Sequence, residues 1–146
     1  MKTLVVAVDF SSGTDKVLDA ASKLAIALKE KIYLVHAVDD TPVYAVYGLY
    51  SEQVPMINEY GEMARKVAMR KLKELKDKFC MGDFETELLL GRPQDAILEF
   101  AKKVDADMVI VGTHGHSAIG SVFMGSVSSS LVRKAKFPVL VVPCED

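Results

Sequence analysis

The chain contains five short apolar runs, separated by segments in which apolar residues recur at helical spacing. The runs are Leu4–Val8, Ile32–Val38, Phe84–Leu90, Met108–Val111 and Val139–Val142. Valine, leucine and isoleucine dominate most of them, which is typical of strands buried on both faces of a parallel sheet. In the third run Glu85 and Glu87 alternate with apolar neighbours, so this strand is predicted to have one solvent-exposed face.

Four helices are predicted between these strands. Ser12-Gly13-Thr14-Asp15 predicts a capping box at the start of the first helix, and Pro93 suits the first turn of the third. The fourth is predicted from about Gly125 to Ala135. This alternation predicts one α/β domain over residues 1–146, with a mostly parallel open sheet that helices cover on both faces.

One stretch, residues 39–55, does not fit this alternation. It contains Pro42, Gly48 and three tyrosines, Tyr44, Tyr47 and Tyr50. It is too long for a simple connection between a strand and a helix. We interpret it as a variable insertion that forms a flap or a partner surface.

Composition narrows the choice of partners and compartment. Eighteen basic residues against 20 acidic ones give a net charge of −2, which offers no reason to propose nucleic acid or an anionic membrane as partner. Cys80 and Cys144 are too few for a disulfide framework, which favours reduced thiols in a cytoplasmic protein. The first apolar run is too short for a signal-peptide core, and no stretch is long enough for a membrane span.

Candidate chemistry lies directly after two of the predicted strands, where open parallel sheets bind ligands. Asp9 and Ser11 follow the first strand, and a glycine-rich segment, Val111 to Ser117, follows the fourth. Gly112, Gly115 and Gly125 allow close approach of the backbone to an anion, and Gly125-Ser126 opens a helix whose free N–H groups suit a phosphate chain. Neither a Walker-type P-loop nor a Gly-x-Gly-x-x-Gly dinucleotide motif is present.

The spacing Gly112-x2-Gly115-x9-Gly125-Ser126 resembles the nucleotide-binding motif of the universal stress protein family. The resemblance covers nearly the whole chain and includes four further matches. These are Val8-Asp9-Phe10-Ser11, Val35-His36-Ala37-Val38, Gly91-Arg92-Pro93 and Phe137–Val142. It implies a Rossmann-like, adenine nucleotide alpha hydrolase-like fold: a five-stranded parallel sheet in the order 3-2-1-4-5 with four helices.

The resemblance also implies roles for individual residues. Asp9 would contact adenine or ribose, and Ala37 or Val38 the edge of the adenine. The ribose and phosphates would meet Gly112, Gly115, Gly125, Ser126 and Val127. Val8 and Val111 flank these positions, and Ala7 stands where some ATP-binding members have proline, which changes the wall of the adenine pocket. His114 and His116 remain open as phosphate contacts, a general base, metal ligands or solvated loop residues.

The resulting hypothesis is a stress-response or regulatory protein that binds ATP and acts as a nucleotide-dependent switch with little or slow hydrolysis. AMP and ADP are alternative ligands, Mg²⁺ or Mn²⁺ are candidate companion ions, and no catalytic residue or metal ligand is assigned. The resemblance implies a homodimer through the strand at 138–143. Two alternatives stay open: a slow ATPase or phosphoryl or nucleotidyl transferase, and an interaction protein that works without nucleotide.

Overall fold

Strands and helices alternate along the chain, as the apolar pattern predicts. A computed structural model describes residues 2–39, 54–79, 83–113 and 124–144. Those residues form the strands β1 (Thr3–Ala7), β2 (Lys31–Val38), β3 (Phe84–Leu90), β4 (Met108–Gly112) and β5 (Val139–Val142). They also form the helices α1 (Thr14–Leu28), α2 (Val54–Lys78), α3 (Pro93–Lys103) and α4 (Ser126–Lys134).

The five strands form one parallel sheet in the order β3-β2-β1-β4-β5, which confirms the predicted fold. The chain runs outward from β1 to β3, then returns to place β4 on the other side of β1. The order of strands therefore reverses between β1 and β4, where Val6 is paired with Ile110. A crevice beyond the carboxyl ends of these two strands is the expected ligand site of such a sheet.

Each face of the sheet packs under two helices. Leu4 and Val6 of β1 belong to the core beneath α1 and α2, whereas Val5 faces the core beneath α3 and α4. This division follows from the alternation of side chains along a strand. In β3, Glu85 and Glu87 are exposed, as predicted.

The start of α1 differs from the prediction. The N-cap residue is Gly13, and no side chain caps the helix, so the predicted capping box is wrong. The Thr14 N–H is bonded to the Ser11 carbonyl at 3.1 Å, so a backbone turn takes the place of the side-chain cap, and Gly13 packs against the segment after β5. A Cβ atom at Gly13 would lie 2.5 Å from Cys144 Sγ and 2.6 Å from Cys144 Cβ, so the segment after β5 occupies the space that a side chain would need.

The segment before α2 lies largely outside the described residues. This holds for 40–53, including the three tyrosines, and also for Cys80. The helix begins at Val54, so Pro55 falls in its first turn, a position that proline tolerates. Among the described helices, none combines the length and the apolar character needed to cross a membrane.

Candidate functional site

The turn after β1 is held close to β2. The Val8 N–H donates to the Val35 carbonyl at 3.0 Å, which continues the pairing of β1 with β2. Asp9 Oδ1 then accepts the Ser11 N–H at 3.0 Å, which folds the carboxylate back over the turn. Phe10, between them, has a φ of 61°, in the left-handed region. The backbone therefore turns sharply at the residue that follows Asp9.

A side-chain stack supports this turn from one face of the sheet. The rings of Phe10 and His36 have centroids 4.3 Å apart, and the Lys71 Nζ atom lies 5.3 Å from the centre of the Phe10 ring. His36 Nδ1 lies 2.7 Å from the Val8 carbonyl oxygen. His36 is therefore a hydrogen-bonded residue at the face of the sheet. The stack connects β2 and α2 to the turn that carries Asp9.

The end of β4 is fastened to the start of α4 through Thr113. Its carbonyl accepts the Gly125 N–H at 2.6 Å and lies 3.2 Å from the buried Ser128 hydroxyl. Its own N–H donates to the Val142 carbonyl, and its hydroxyl accepts the Cys144 N–H at 3.1 Å. Thr113 thus brings the ends of β4 and β5 and the first turn of α4 together.

The first turn of α4 has an open N-terminus. Gly125 is the N-cap, with φ −62° and ψ 161°, and it has no side chain with which to accept a hydrogen bond from the turn. That backbone geometry is open to any residue, so glycine is not required there by conformation. The first turn also has no acidic residue. A helix start of this kind presents N–H groups and a positive dipole end to an anion.

Most of the residues predicted to form the nucleotide site lie at the same edge of the sheet. Asp9 and Thr113 both follow three residues after the paired Val6 and Ile110, so the two loops leave neighbouring strands at the same level. Ala7, Val8, Val111 and Gly112 lie at those strand ends, Ala37 and Val38 lie at the end of β2, and Gly125, Ser126 and Val127 begin α4. Ser126 is exposed, and Val127 packs against the core beneath α3 and α4. His114, Gly115 and His116 lie outside the described residues.

Two perturbed titratable groups lie at the opposite end of the sheet. Burial, with Asp107 as a second cause, raises the pKa of the Glu30 carboxyl, which directly precedes β2. A hydrogen bond to Glu85 raises the pKa of Lys31, the first residue of β2. Both are remote from the carboxyl ends of the strands. Over the part of the chain that the structure describes, no group of three or more His, Cys, Asp or Glu side chains could hold a metal ion.

Sequence reasoning missed Thr113, Phe10 and Lys71 as parts of this region. Thr113 lay inside the glycine-rich segment, but a threonine carbonyl gives no pattern that identifies it as an anchor for a helix. The period-2 alternation of β2 could have placed His36 on the face of Ile32 and Leu34. Its contact with Phe10 depends on the turn after β1, which no sequence pattern defined.

The parallel order β3-β2-β1-β4-β5, with helices on both faces, defines a Rossmann-like α/β protein. A hypothetical protein whose biochemical function was assigned from its structure, MJ0577, has this fold at a TM-score of 0.84 and 22% identity, over 99% of this chain and 97% of that one. A universal stress protein solved in complex with cAMP aligns at a TM-score of 0.69 and 28% identity, over 99% and 98%.

The sequence comparison is more specific. A model of the universal stress protein family matches residues 1–143. A universal stress protein of Thermus aquaticus is 33% identical over 141 residues, covering 97% of this chain and 98% of the relative. The chain belongs to the universal stress protein family.

Proposed function

We propose that this protein binds an adenine nucleotide, with ATP as the principal ligand, across the carboxyl ends of β1 and β4. The observation that carries the proposal is the start of α4 at Gly125, which has no side-chain cap among the described residues and is tied to β4 through Thr113. Its N–H groups lie beside the crevice at which the strand order reverses. The cAMP complex of a family member that is 28% identical to this chain supports the adenine class of ligand.

In this proposal the ends of β1 and β2 bind the adenine and ribose, and the end of β4 and the start of α4 bind the phosphates. The carboxylate of Asp9, oriented by the Ser11 N–H, accepts hydrogen bonds from ribose or adenine. Ala37 and Val38 line the edge of the adenine. The phosphates lie against Gly112 and the loop that contains His114, Gly115 and His116, and they end at Gly125, Ser126 and Val127.

We further propose that bound nucleotide acts as a regulatory switch and is hydrolysed slowly, in a cytoplasmic stress response. The first turn of α4 has no acidic side chain to hold Mg²⁺ or Mn²⁺ beside a phosphate. In P-loop NTPases and protein kinases, carboxylates of this kind position the metal ions. The chain has two cysteines, which are too few for a disulfide framework, and this favours a reducing compartment.

We also propose a homodimer through residues 138–143. β5 is an edge of the sheet, and its four residues Val139–Val142 are all only partly buried. An uncharged edge strand of this kind can pair with a strand of another chain, and natural proteins normally cover such an edge. A second copy of the chain would cover it.

The first experiment asks what the purified protein carries. The protein is prepared without added nucleotide and denatured, and the released small molecules are identified by mass spectrometry. Thermal unfolding is then measured with ATP, ADP, AMP and cAMP. A ligand at 100 times its Kd should add about 2.7 kcal/mol to the free energy of unfolding.

A pair of glycine variants serves as the control. Gly125→Val should remove both the carried nucleotide and the stabilisation, because its side chain covers the N–H groups of α4. Gly61→Val is the matched variant, since a Cβ at Gly61 in α2 has no neighbour within 4 Å. It should keep both. A parent protein that carries no nucleotide and gains no stability from any of the four would refute the proposal.

A further inference from the structure

His36 makes two contacts with the turn that carries Asp9, and neither is part of strand pairing. Its ring lies against the ring of Phe10, and its Nδ1 atom lies 2.7 Å from the Val8 carbonyl oxygen. A carbonyl oxygen can only accept a hydrogen bond, so Nδ1 must carry the proton. The other inward positions of β2 on this face, Ile32 and Leu34, are fully buried aliphatic residues. Packing alone would be satisfied by a third aliphatic residue.

We propose that His36 is a positioning residue for the nucleotide site, acting through the peptide unit that joins Val8 to Asp9. The inference rests on the proposed function, since it assigns a role within the same site. His36 does not contact the ligand in this proposal. It holds the backbone from which Asp9 and its N–H project.

The geometry of the peptide unit gives the reason. The Val8 N–H donates to Val35 and the Val8 carbonyl accepts from His36, so both polar groups of this residue are bound to β2. In a planar trans peptide the carbonyl and the following N–H point in opposite directions. The Asp9 N–H therefore points away from the His36 ring. His36 thus fixes the direction in which the Asp9 N–H points.

The next residue makes this restraint necessary. Phe10 adopts a φ of 61°, a conformation that a residue with a Cβ atom disfavours. Its ring contacts the His36 ring, at 4.3 Å between centroids, and lies 5.3 Å from the Lys71 ammonium. Without the hydrogen bond to Val8 and the ring contact, the turn can relax to an ordinary backbone conformation. The Asp9 carboxylate would then leave its place over the Ser11 N–H.

Three substitutions of His36 distinguish the contribution of its hydrogen bond from the contribution of its packing. The side-chain amide of Asn can place an N–H where Nδ1 stands, whereas the longer Gln places its amide where Nε2 stands. Phe keeps a ring against Phe10 but has no donor. Affinity for ATP is measured by calorimetry well below the melting temperature of each variant, with the folded state checked by circular dichroism.

The expected result is that His36→Asn binds ATP within about threefold of the parent, while His36→Gln and His36→Phe bind about tenfold or more weakly, as the loss of one partly buried hydrogen bond predicts. In NMR spectra, the amide resonance of Asp9 should shift on addition of ATP in the parent and in His36→Asn. It should lose that response in His36→Gln. A role in stability alone would not produce this rescue by Asn.

Two other results are distinguishable. If the parent binds no adenine nucleotide, the proposed function itself fails, and this inference with it. The parent could instead bind ATP while all three variants bind it as tightly as the parent, or while all three, including Asn, are weakened equally. Either result overturns the positioning role and leaves the nucleotide site in place. Should His36→Phe fail to fold, the comparison of Asn with Gln decides the question alone.

Discussion

Replacing Gly125 by aspartate should change stability and nucleotide binding in opposite directions. The residue is the N-cap of α4 and already has the extended backbone typical of that position, with φ −62° and ψ 161°. Aspartate is among the preferred N-cap residues, because its carboxylate accepts an N–H of the first turn. A negative charge at a helix start adds a further gain of about 0.3–1 kcal/mol. The ligand-free variant should therefore be as stable as the parent or slightly more stable.

Binding should suffer because the new carboxylate occupies the proposed phosphate position. Two unit charges about 4 Å apart repel each other by about 4 kcal/mol at an effective dielectric constant of about 20. Each 1.4 kcal/mol corresponds to about a tenfold change in affinity. Gly125 is partly exposed, and solvent reduces the repulsion. We expect the Kd for ATP to rise by about 100-fold or more.

The assay compares Gly125→Asp with Gly125→Asn, which has the same shape and also caps helices but carries no charge. Calorimetry gives the Kd for ATP, and thermal unfolding gives the stability of each empty protein. The two variants should melt at similar temperatures, with Asn binding ATP more tightly than Asp. The reasoning is refuted if Gly125→Asp binds ATP within about threefold of the parent, or if the empty variant is clearly less stable than the parent.

Three further predictions concern parts of the fold away from the phosphates. Glu30 is 9% exposed and its Oε2 has no hydrogen-bond partner among the described residues, while burial and Asp107 raise the pKa of its carboxyl above 4.5. Ionisation in the folded state is therefore unfavourable, so stability is lost as pH rises from the unfolded value through the folded pKa. Glu30→Gln should stabilise the protein more near neutral pH than below pH 4.5 in denaturant unfolding, and an equal effect at both would contradict this. Gly13→Ala should destabilise the protein by about 1–3 kcal/mol, because the new Cβ meets Cys144 at 2.5 Å, and adding Cys144→Gly should restore part of the loss. In β5 the carbonyls of Pro138 and Val142 accept from β4, so by alternation the Val141 N–H points outward along the free edge. Val141→Pro should then reduce the dimer mass seen by light scattering, whereas Val141→Ala, which loses similar packing but keeps the N–H, should remain dimeric; equal masses for the two variants would exclude pairing through this N–H.

Local sequence pattern was sufficient to predict the strands and helices that the described residues form. The two glutamates of β3 are exposed to solvent, as the alternation of apolar and polar residues predicts. Helix α3 begins at Pro93, as the backbone geometry of proline predicts. Both effects act within a few neighbouring residues. The start of α4 at Ser126 follows from the same local chemistry. The sheet order came from the resemblance to a known family, since the apolar runs by themselves are compatible with other arrangements.

The sequence alone determined the α/β class, the boundaries of most elements and the glycine-rich segment at which the site was sought. Only the tertiary structure decided that Gly13 is the N-cap of α1, that His36 bonds to Val8, and that Glu30 is buried near Asp107. These contacts join residues far apart along the chain: 28 positions separate His36 from Val8. Hydrophobic periodicity reports which face of an element is buried. It carries no information about which distant residue packs against that face, because this depends on where the sheet order places each strand.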